Sequence, residues 1–195
     1  MDLPWLRPNN HLLWINTPTE GPFVEQKIGT TFMNAGEIDV ILRLVKALDA
    51  AWAPHVAAGE PPKEVGVITF YGAQVRELKA RLVERTGQYK NLRLRVGTVD
   101  RFQGMERPII IVSLVRNNDF GSVGFARKPE RVNVAFSRAQ ELLVIVGSRE
   151  LFTERARDAG PGEGVVRAMY GRVAEVVTKA GGLRRTSDVS NDFKR

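Results

Sequence analysis

Two arginines in the stretch RVNVAFSRA, at residues 131–139, are of a type and spacing suited to phosphate chemistry. Arg131 and Arg138 are seven residues apart, close to two turns of an α-helix, so on one helix both side chains would project from the same side. A planar guanidinium clamps phosphate oxygens, and one supplied by a neighbouring domain stabilises charge that develops in phosphoryl transfer. The alternative is that both arginines form ion pairs with carboxylates such as Asp100 and Glu106, and spacing alone favours neither.

A second stretch, VGTVDRFQGME at residues 96–106, combines a glycine with polar side chains in a short loop. Gly104 permits a close approach of backbone to a ligand, and the Glu106 carboxylate is able to accept hydrogen bonds from a ribose hydroxyl. Thr98 and Gln103 offer uncharged hydrogen-bonding groups suited to a phosphate backbone or a base. The alternative is that these are ordinary turn residues.

Short apolar runs alternate with helical patterns, and this alternation predicts the elements that position both stretches. Val65–Phe70 is a nearly continuous β-branched run, typical of a strand buried on both faces of a parallel sheet. Further strands are expected at about 93–99 and 109–115, and Pro129 fits the first turn of a helix that carries both arginines to about Gln140. The predicted fold is α/β, a mainly parallel sheet with helices on both faces.

Ligands of such sheets bind beyond the carboxyl ends of the strands. If the strands are parallel, Tyr71 with Gln74, the loop at 98–106 and the region after Val115 all emerge at that edge. We therefore expect these groups to lie together there.

The beginning and end of the chain carry weaker signals. Residues 1–9 are rich in proline and asparagine and are expected to lie irregularly on the surface. Asn34, followed three residues later by Glu37, predicts a capping-box-like helix start, with the helix running to about Ala51. We expect one domain over residues 1–182, with 183–195 as a flexible tail.

Charge and composition narrow the classes of function. The formal net charge is +7 and the isoelectric point is near 10, which favours a polyanionic partner such as nucleic acid, although a basic protein without such a partner stays open. Cysteine is absent, and His11 and His55 lie far apart without a second ligand at metal spacing, so we expect no metal site. There is no apolar run of the roughly 20 residues needed to span a bilayer, so we expect a cytoplasmic protein without a membrane partner.

Two nucleotide-binding motifs are missing. The sequence contains no G-x-x-x-x-G-K-[ST] pattern, and the dipeptide Gly-Lys does not occur in it. It also lacks an adjacent Asp-Glu pair to hold magnesium. The chain is therefore predicted not to hydrolyse ATP alone.

Together the stretches resemble superfamily-one helicases, in the branch that contains the nonsense-mediated-decay RNA helicase and senataxin-like enzymes. VITFYGAQ at 67–74 resembles motif IV, residues 96–118 resemble motif V with its following strand, and RVNVAFSRA resembles motif VI. The match is to the second, C-terminal RecA-like domain, which has a P-loop NTPase fold without its own P-loop. Phe70 departs from the pattern, since a proline usually stands there, and the tyrosine-arginine segment that usually precedes this region is absent before Met1.

The resemblance implies roles for individual residues. Arg138 corresponds to the arginine finger that reaches the γ-phosphate held by the other RecA-like domain, and Arg131 supports the nucleotide cleft or pairs with motif V. Glu106, preceded by Gly104, corresponds to the motif V nucleotide contact. Positions near the nucleic-acid track are Tyr71, Gln74, Thr98 and Gln103.

The expected function is that of the C-terminal motor domain of an ATP-dependent DNA or RNA helicase or translocase. Its expected partners are an N-terminal RecA-like P-loop domain and single-stranded nucleic acid. ATP with magnesium would be held mainly by that P-loop domain, which this chain lacks, and the resemblance implies 5′ to 3′ movement. The alternative is a stand-alone nucleic-acid-binding or interaction module with no ATPase role.

Overall fold

Parallel strands form the main sheet of the protein, whose computed structural model describes residues 3, 5–7, 9–83, 88–157 and 164–189. The strands are β1 (Leu12–Asn16), β2 (Gln26–Ile28), β3 (Thr31–Met33), β4 (Lys63–Thr69), β5 (Leu92–Thr98), β6 (Arg107–Ser113), β7 (Ala139–Gly147) and β8 (Leu183–Arg185). The α-helices are α1 (Ala35–Ala57), α2 (Gly72–Leu82), α3 (Pro129–Phe136) and α4 (Val165–Lys179).

The main sheet has the strand order β5-β4-β6-β7-β1-β8, and each neighbouring pair is parallel. A separate antiparallel hairpin consists of β2 and β3. The central strands are buried along most of their length because helices cover both faces, which explains why β4 and β6 read as continuous apolar runs. The predicted α/β class and parallel sheet are confirmed, and the architecture is RecA-like.

Two apolar clusters lie on opposite faces of the sheet. On one face, α1 and α2 bury residues such as Ile41, Leu44 and Leu78 against the strands. On the other face, α3 and α4 bury residues such as Val132 and Tyr170. Each helix thus uses one apolar stripe, and the sheet supplies a hydrophobic surface to both sides.

The helix that carries the second arginine stretch is shorter than predicted. α3 begins at Pro129 as expected, but it ends at Phe136, where the Ser137 backbone N–H donates to the Asn133 carbonyl at 2.9 Å. Ala139 is already in register with Arg107 as the first residue of β7. Because the chain must turn into the sheet within two residues, the helix cannot reach Gln140.

Both ends of the described chain are more ordered than the sequence indicates. Leu3 and Trp5 are buried rather than spread on the surface. Residues 183–189 were predicted to lie in the tail, but β8 pairs with β1, and Val189 is buried. An outer strand presents unpaired backbone groups, and pairing with β8 satisfies those of β1. Residues 190–195 of the predicted tail lie outside the described residues.

Candidate functional site

The segment that follows β5 crosses the sheet from one edge to the other. Thr98 ends β5 at the carboxyl edge, whereas Arg107 begins β6 at the amino edge, because these strands are parallel members of one sheet. Val99 and Phe102 are buried on the way. The expectation that the whole loop opens at the carboxyl edge is therefore wrong, since only its first residues lie there.

Two glycines allow this crossing. A Cβ atom at Gly66 of β4 would lie 2.8 Å from Phe102 Cε1, and one at Gly97 of β5 would lie 3.2 Å from Phe102 Cε2. The Phe102 ring therefore lies directly on the backbone of both strands. This close packing fixes the segment and carries its polar residues to the amino edge.

Glu106 and Arg138 come together at the amino edge, where β6 and β7 begin. The Arg107 backbone N–H donates to the Arg138 carbonyl at 2.9 Å. The exposed Glu106 carboxylate accepts a hydrogen bond from Gln140 Nε2 at 3.4 Å. The ends of the 96–106 and 131–139 stretches thus meet where β6 and β7 begin.

The Arg138 guanidinium is oriented by the end of α3, which precedes it. Its Nε donates to the Val134 carbonyl and its Nη2 donates to Ser137 Oγ, both at 3.0 Å. In the part of the chain that the structure describes, Arg138 has no carboxylate within ion-pair distance. Because a guanidinium has five N–H donors, this one retains donors for an anion supplied from outside the domain.

Arg131 is used differently. It lies in the first turn of α3, and its Nη2 lies 2.5 Å from Asp100 Oδ2 in an ion pair. Its guanidinium also lies 5.4 Å from the centre of the Phe125 ring. The alternative of a carboxylate partner therefore holds for Arg131, whereas none lies within ion-pair distance of Arg138 among the described residues. The prediction that one helix carries both arginines is wrong, because α3 ends at Phe136.

The remaining loop positions divide between the two edges. Gly104 is exposed with φ of 75°, and no atom lies within 4 Å of the place that a Cβ would occupy. Gln103 next to it is exposed. Thr98, by contrast, is half-buried at the carboxyl edge, in register with Thr69 of β4.

Tyr71 and Gln74 lie inside the protein instead of at its surface. The buried Tyr71 hydroxyl accepts a hydrogen bond from the Phe125 backbone N–H at 3.1 Å. Gln74 is fully buried, accepts from the Asn34 backbone N–H at 2.9 Å and donates to Ser113 Oγ at 2.9 Å. Both side chains are therefore hydrogen-bonded inside the carboxyl edge, and their contact with nucleic acid stays a prediction.

The buried carboxyl group of Glu37 organises this edge. From the sequence, Glu37 was predicted only to mark the start of a helix. Asn34 caps α1 as predicted, accepting from the Glu37 backbone N–H at 3.0 Å. The Glu37 side chain does not return to the cap. It accepts from Ser113 Oγ at 2.6 Å and from the Val115 backbone N–H at 3.0 Å. The Asn34–Glu37 capping pattern was the only sequence signal for these hydrogen bonds.

The hydrogen bonds of Glu37 hold a strained residue, Val115. Val115 has φ of 70°, a left-handed conformation that a β-branched residue rarely adopts. Burial raises the pKa of the Glu37 carboxyl to about 8, while the hydrogen bonds from Ser113 and Val115 act in the opposite direction. The buried Glu37 carboxyl thus holds the backbone after β6 in this conformation, against the local preference of Val115.

A second buried pair fixes the next residue. The Arg116 guanidinium binds the Glu25 carboxylate in a bidentate pair, with Nε to Oε2 at 2.8 Å and Nη2 to Oε1 at 2.9 Å. The two side chains are only 8% and 10% exposed. The Arg116 guanidinium also lies 4.2 Å from the centre of the Phe32 ring. Nothing in the local sequence linked Glu25 with Arg116, because only the fold brings them together.

The described residues show neither a metal-binding group nor a membrane-spanning helix. They contain no group of three or more histidine, aspartate or glutamate side chains arranged to hold a metal ion. None of the helices described here has the length and apolar character needed to cross a membrane.

Comparison of the sequence with known proteins assigns the chain to a family. A family model described as an AAA domain matches residues 2–150. The chain belongs to that family. It is 30% identical over 156 residues to Regulator of nonsense transcripts 1 of Dictyostelium discoideum, covering 77% of this chain and 11% of the relative. The resemblance to superfamily-one helicases is therefore confirmed.

Other relatives agree. The chain is 33% identical to Regulator of nonsense transcripts 1 of Caenorhabditis elegans, covering 77% of this chain and 14% of the relative. It is 34% identical to DNA polymerase alpha-associated DNA helicase A of Saccharomyces cerevisiae, covering 72% of this chain and 20% of the relative. The chain thus spans a fifth or less of the length of these proteins.

Proposed function

We propose that this domain is the C-terminal motor domain of an ATP-dependent helicase or translocase, and that its amino edge completes an ATP site held by a P-loop domain. The observation that carries the proposal is the Arg138 guanidinium. It is oriented by Val134 and Ser137 and has no carboxylate partner among the described residues. Arg131 lies at the start of α3 and is half-buried like Arg138, but it is already paired with Asp100.

An oriented and unpaired guanidinium is suited to act as an arginine finger. When the P-loop domain closes against the amino edge, Arg138 would donate hydrogen bonds to the γ-phosphate oxygens and stabilise the charge that develops on them. The exposed Glu106 carboxylate would accept from a ribose hydroxyl. Magnesium would be held with ATP mainly by the P-loop domain, where it would neutralise charge that develops on the phosphates. Gly104 leaves room beside Glu106 for the approaching nucleotide or partner.

The carboxyl edge would face single-stranded nucleic acid. Thr98 lies half-buried at that edge, whereas Glu106 lies at the other, and both belong to the segment pinned by Phe102. One short, tightly packed segment therefore spans both edges. Domain closure on ATP would move it as a unit, which gives a physical path from nucleotide hydrolysis to motion along a strand. Gln103 lies between Thr98 and Glu106 in this segment.

The test is ATP hydrolysis by the chain combined with its P-loop partner domain, with and without single-stranded nucleic acid. We expect the wild-type chain to stimulate hydrolysis and Arg138→Ala to lose nearly all of the stimulation. Arg172→Ala, which removes an exposed arginine of α4, serves as the matched control and should behave as wild type.

Two outcomes would overturn the proposal. One is a wild-type chain that does not raise hydrolysis by the P-loop domain, which would favour a stand-alone nucleic-acid-binding module. The other is stimulation that survives Arg138→Ala, which would remove the arginine finger from this position.

A further inference from the structure

A groove of about 830 Å³ lies between α1 and α2, on the side of these helices that faces away from the sheet. α1 lines it with Gly36, Asp39, Arg43 and Lys46, at intervals of three and four residues, which places them on one face of the helix. Arg81 of α2 lines the opposite wall. Gly36 and Lys46 are ten residues apart, or about 15 Å along the helix axis. We call this surface the interhelical groove.

The apolar part of the lining continues the core of the domain. Phe23, Leu42 and Tyr89 line the groove, are each half-buried and pack against the apolar cluster beneath α1 and α2. Phe23 lies directly on α1, since a Cβ at Gly36 would lie 2.4 Å from Phe23 Cδ1. Half-buried apolar side chains along an accessible groove offer contact to the apolar groups of a ligand.

Both ends of the interhelical groove are fixed by hydrogen bonds to the rest of the domain. At one end, the Phe23 carbonyl accepts from Asn117 Nδ2 at 2.8 Å. At the other end, Asn91 follows Tyr89 closely and joins it to α1. The Asn91 backbone N–H donates to Asp49 Oδ1 at 2.9 Å, and its Nδ2 donates to the Asp49 carbonyl at 3.0 Å. The groove is thus preformed, so a ligand would not have to order its ends.

The charges of the interhelical groove are not balanced. The Arg81 guanidinium is engaged, with Nη1 at 3.1 Å from Asp39 Oδ1 and Nε at 2.7 Å from Glu77 Oε1. Arg43 and Lys46, by contrast, form no ion pair or hydrogen bond with any residue that the structure describes. Arg43 is also half-buried, which limits its contact with water. Two uncompensated cations therefore stand beside an apolar surface.

This combination selects among the possible occupants. A second copy of the chain fits poorly, because the net charge is +7 and a two-fold contact would bring the same cations together. A continuous phosphate backbone fits poorly as well, since the Asp39 side chain is 62% exposed in the groove and would repel it. A polypeptide with separated carboxylates avoids Asp39, reaches both cations and covers the apolar lining with its own apolar side chains.

We propose that the interhelical groove docks an acidic amphipathic segment of a partner protein, with its carboxylates on Arg43 and Lys46 and its apolar side chains on Leu42 and Tyr89. A helical segment of about ten residues matches the length of the lined part of α1. The proposal goes beyond the proposed function, because neither the ATP site nor the carboxyl edge uses this face. It gives the domain a docking site that is separate from its motor chemistry.

The experiment measures the binding of labelled synthetic peptides to the whole chain by fluorescence anisotropy. In the acidic peptide, leucines at helical spacing are separated by glutamates, and in the neutral peptide every glutamate is replaced by glutamine. We expect the acidic peptide to bind at low salt and the neutral peptide to bind about tenfold more weakly. Affinity for the acidic peptide should fall as salt is raised, because exposed charges are screened.

Charge reversal separates a docking role from a structural one. Arg43→Glu combined with Lys46→Glu should weaken binding of the acidic peptide by about tenfold. The same variant should bind a basic peptide, with lysine in place of each glutamate, more tightly than wild type does. A variant that had merely lost its fold would bind neither peptide. Arg167→Glu combined with Arg172→Glu, on the exposed face of α4, changes the net charge equally and should bind the acidic peptide as wild type does.

Several outcomes would overturn the proposal. It fails if the acidic peptide does not bind at low salt, if the neutral peptide binds equally well, or if reversal of Arg43 and Lys46 leaves binding unchanged. It also fails if the reversal weakens binding of labelled oligo(U) more than that of the acidic peptide, since the groove would then be a nucleic-acid surface. Sedimentation that shows a dimer dissociated by the reversal would assign the groove to a second copy.

The combined ATPase assay keeps this proposal distinct from the proposed function. The chain with Arg43→Glu and Lys46→Glu should stimulate hydrolysis by the P-loop domain as wild type does, whereas Arg138→Ala should not. Loss of stimulation in the charge-reversed chain would show that the groove contacts the P-loop domain, which contradicts a separate partner. Loss of peptide binding with intact stimulation confirms a docking site that is independent of the motor.

Discussion

Arg116 at the carboxyl edge of the sheet and Arg138 at the amino edge are engaged in opposite ways. At the carboxyl edge, Arg116 and Glu37 are buried, and each is satisfied within the domain. At the amino edge, Arg138 and Glu106 remain accessible, and no carboxylate partner of Arg138 lies among the described residues. Under the proposed function, the carboxyl edge is shaped from within the domain, whereas the amino edge would be completed by the P-loop domain.

The expected contributions of these groups to the free energy of unfolding also differ between the two edges. The Lys63–Glu141 ion pair at the amino edge includes a glutamate with 53% of its side chain exposed. Such pairs contribute about 0–1 kcal/mol and weaken with salt. Removing one member of a buried hydrogen-bonded group costs about 1–3 kcal/mol because its partners are left unsatisfied. Changes at the carboxyl edge should therefore affect folding, and changes at the amino edge should affect activity.

The largest expected effect separates the two arginines of the RVNVAFSRA stretch. In the combined ATPase assay, Arg138→Ala should lower the stimulated rate by about 10³-fold, the usual contribution of an arginine finger. Arg131→Ala should stay within about threefold of wild type, because its guanidinium is engaged by Asp100. Comparable losses in both variants would show that the two arginines act together on phosphate, and the distinction between the edges would fail.

A smaller effect is expected from pH at the carboxyl edge. The folded-state pKa of Glu37 is raised to about 8 by burial, above the usual value in an unfolded chain. Between about pH 4.5 and 8 the folded protein keeps a proton that the unfolded chain loses, so this group makes stability fall as pH rises through that window. The contribution is at most roughly 1.4 kcal/mol per pH unit.

Urea unfolding at several pH values between 5 and 8 measures this slope. Glu37→Gln, which cannot ionise, should remove the contribution. Glu141→Gln at the amino edge is the matched control, since that carboxylate is exposed and forms its ion pair with Lys63 among the described residues. Equal slopes in wild type and Glu37→Gln would mean that Glu37 is ionised throughout, with its hydrogen bonds outweighing burial.

The smallest expected effect concerns the segment that links the edges. In Gly66→Ala the new Cβ would lie 2.6 Å from Ile110 Cδ1 and 2.8 Å from Phe102 Cε1, so the free energy of unfolding should fall by about 1–3 kcal/mol. Gly171→Ala in α4 has no atom within 4 Å of its Cβ and should raise stability by up to about 1 kcal/mol. A Gly66→Ala protein as stable as wild type would show that Phe102 is loosely packed and that the crossing segment is not pinned.

Most of the fold was predictable from local patterns. The β-branched runs of β4 and β6 predicted buried parallel strands, and Asn34 predicted the start of α1. The end of α3 was not predictable, because Val132 and Ala135 continue a helical pattern that would suit residues to 140. It is the pairing of β7 with β6 that stops the helix, and strand pairing is not a local property.

The candidate site was predicted in composition but not in arrangement. Glu106 and Arg138, both singled out from the sequence, lie where β6 and β7 begin, whereas Tyr71 and Gln74 were expected at the surface and are buried. Their polar groups gave no signal of burial, because the partners that satisfy them, Phe125 and Asn34, are distant in sequence.

The sequence by itself determined that the sheet is parallel, that the chain lacks a P-loop pattern and that residues 96–139 include its helicase-like motifs. These depend on residue type and short spacing. Only the tertiary structure decided which edge each residue occupies and which arginine is unpaired. The reason is that the register of β6 with β7 and the pairs Arg131–Asp100 and Glu37–Val115 join residues far apart in the chain, and such contacts exist only when the sheet is assembled.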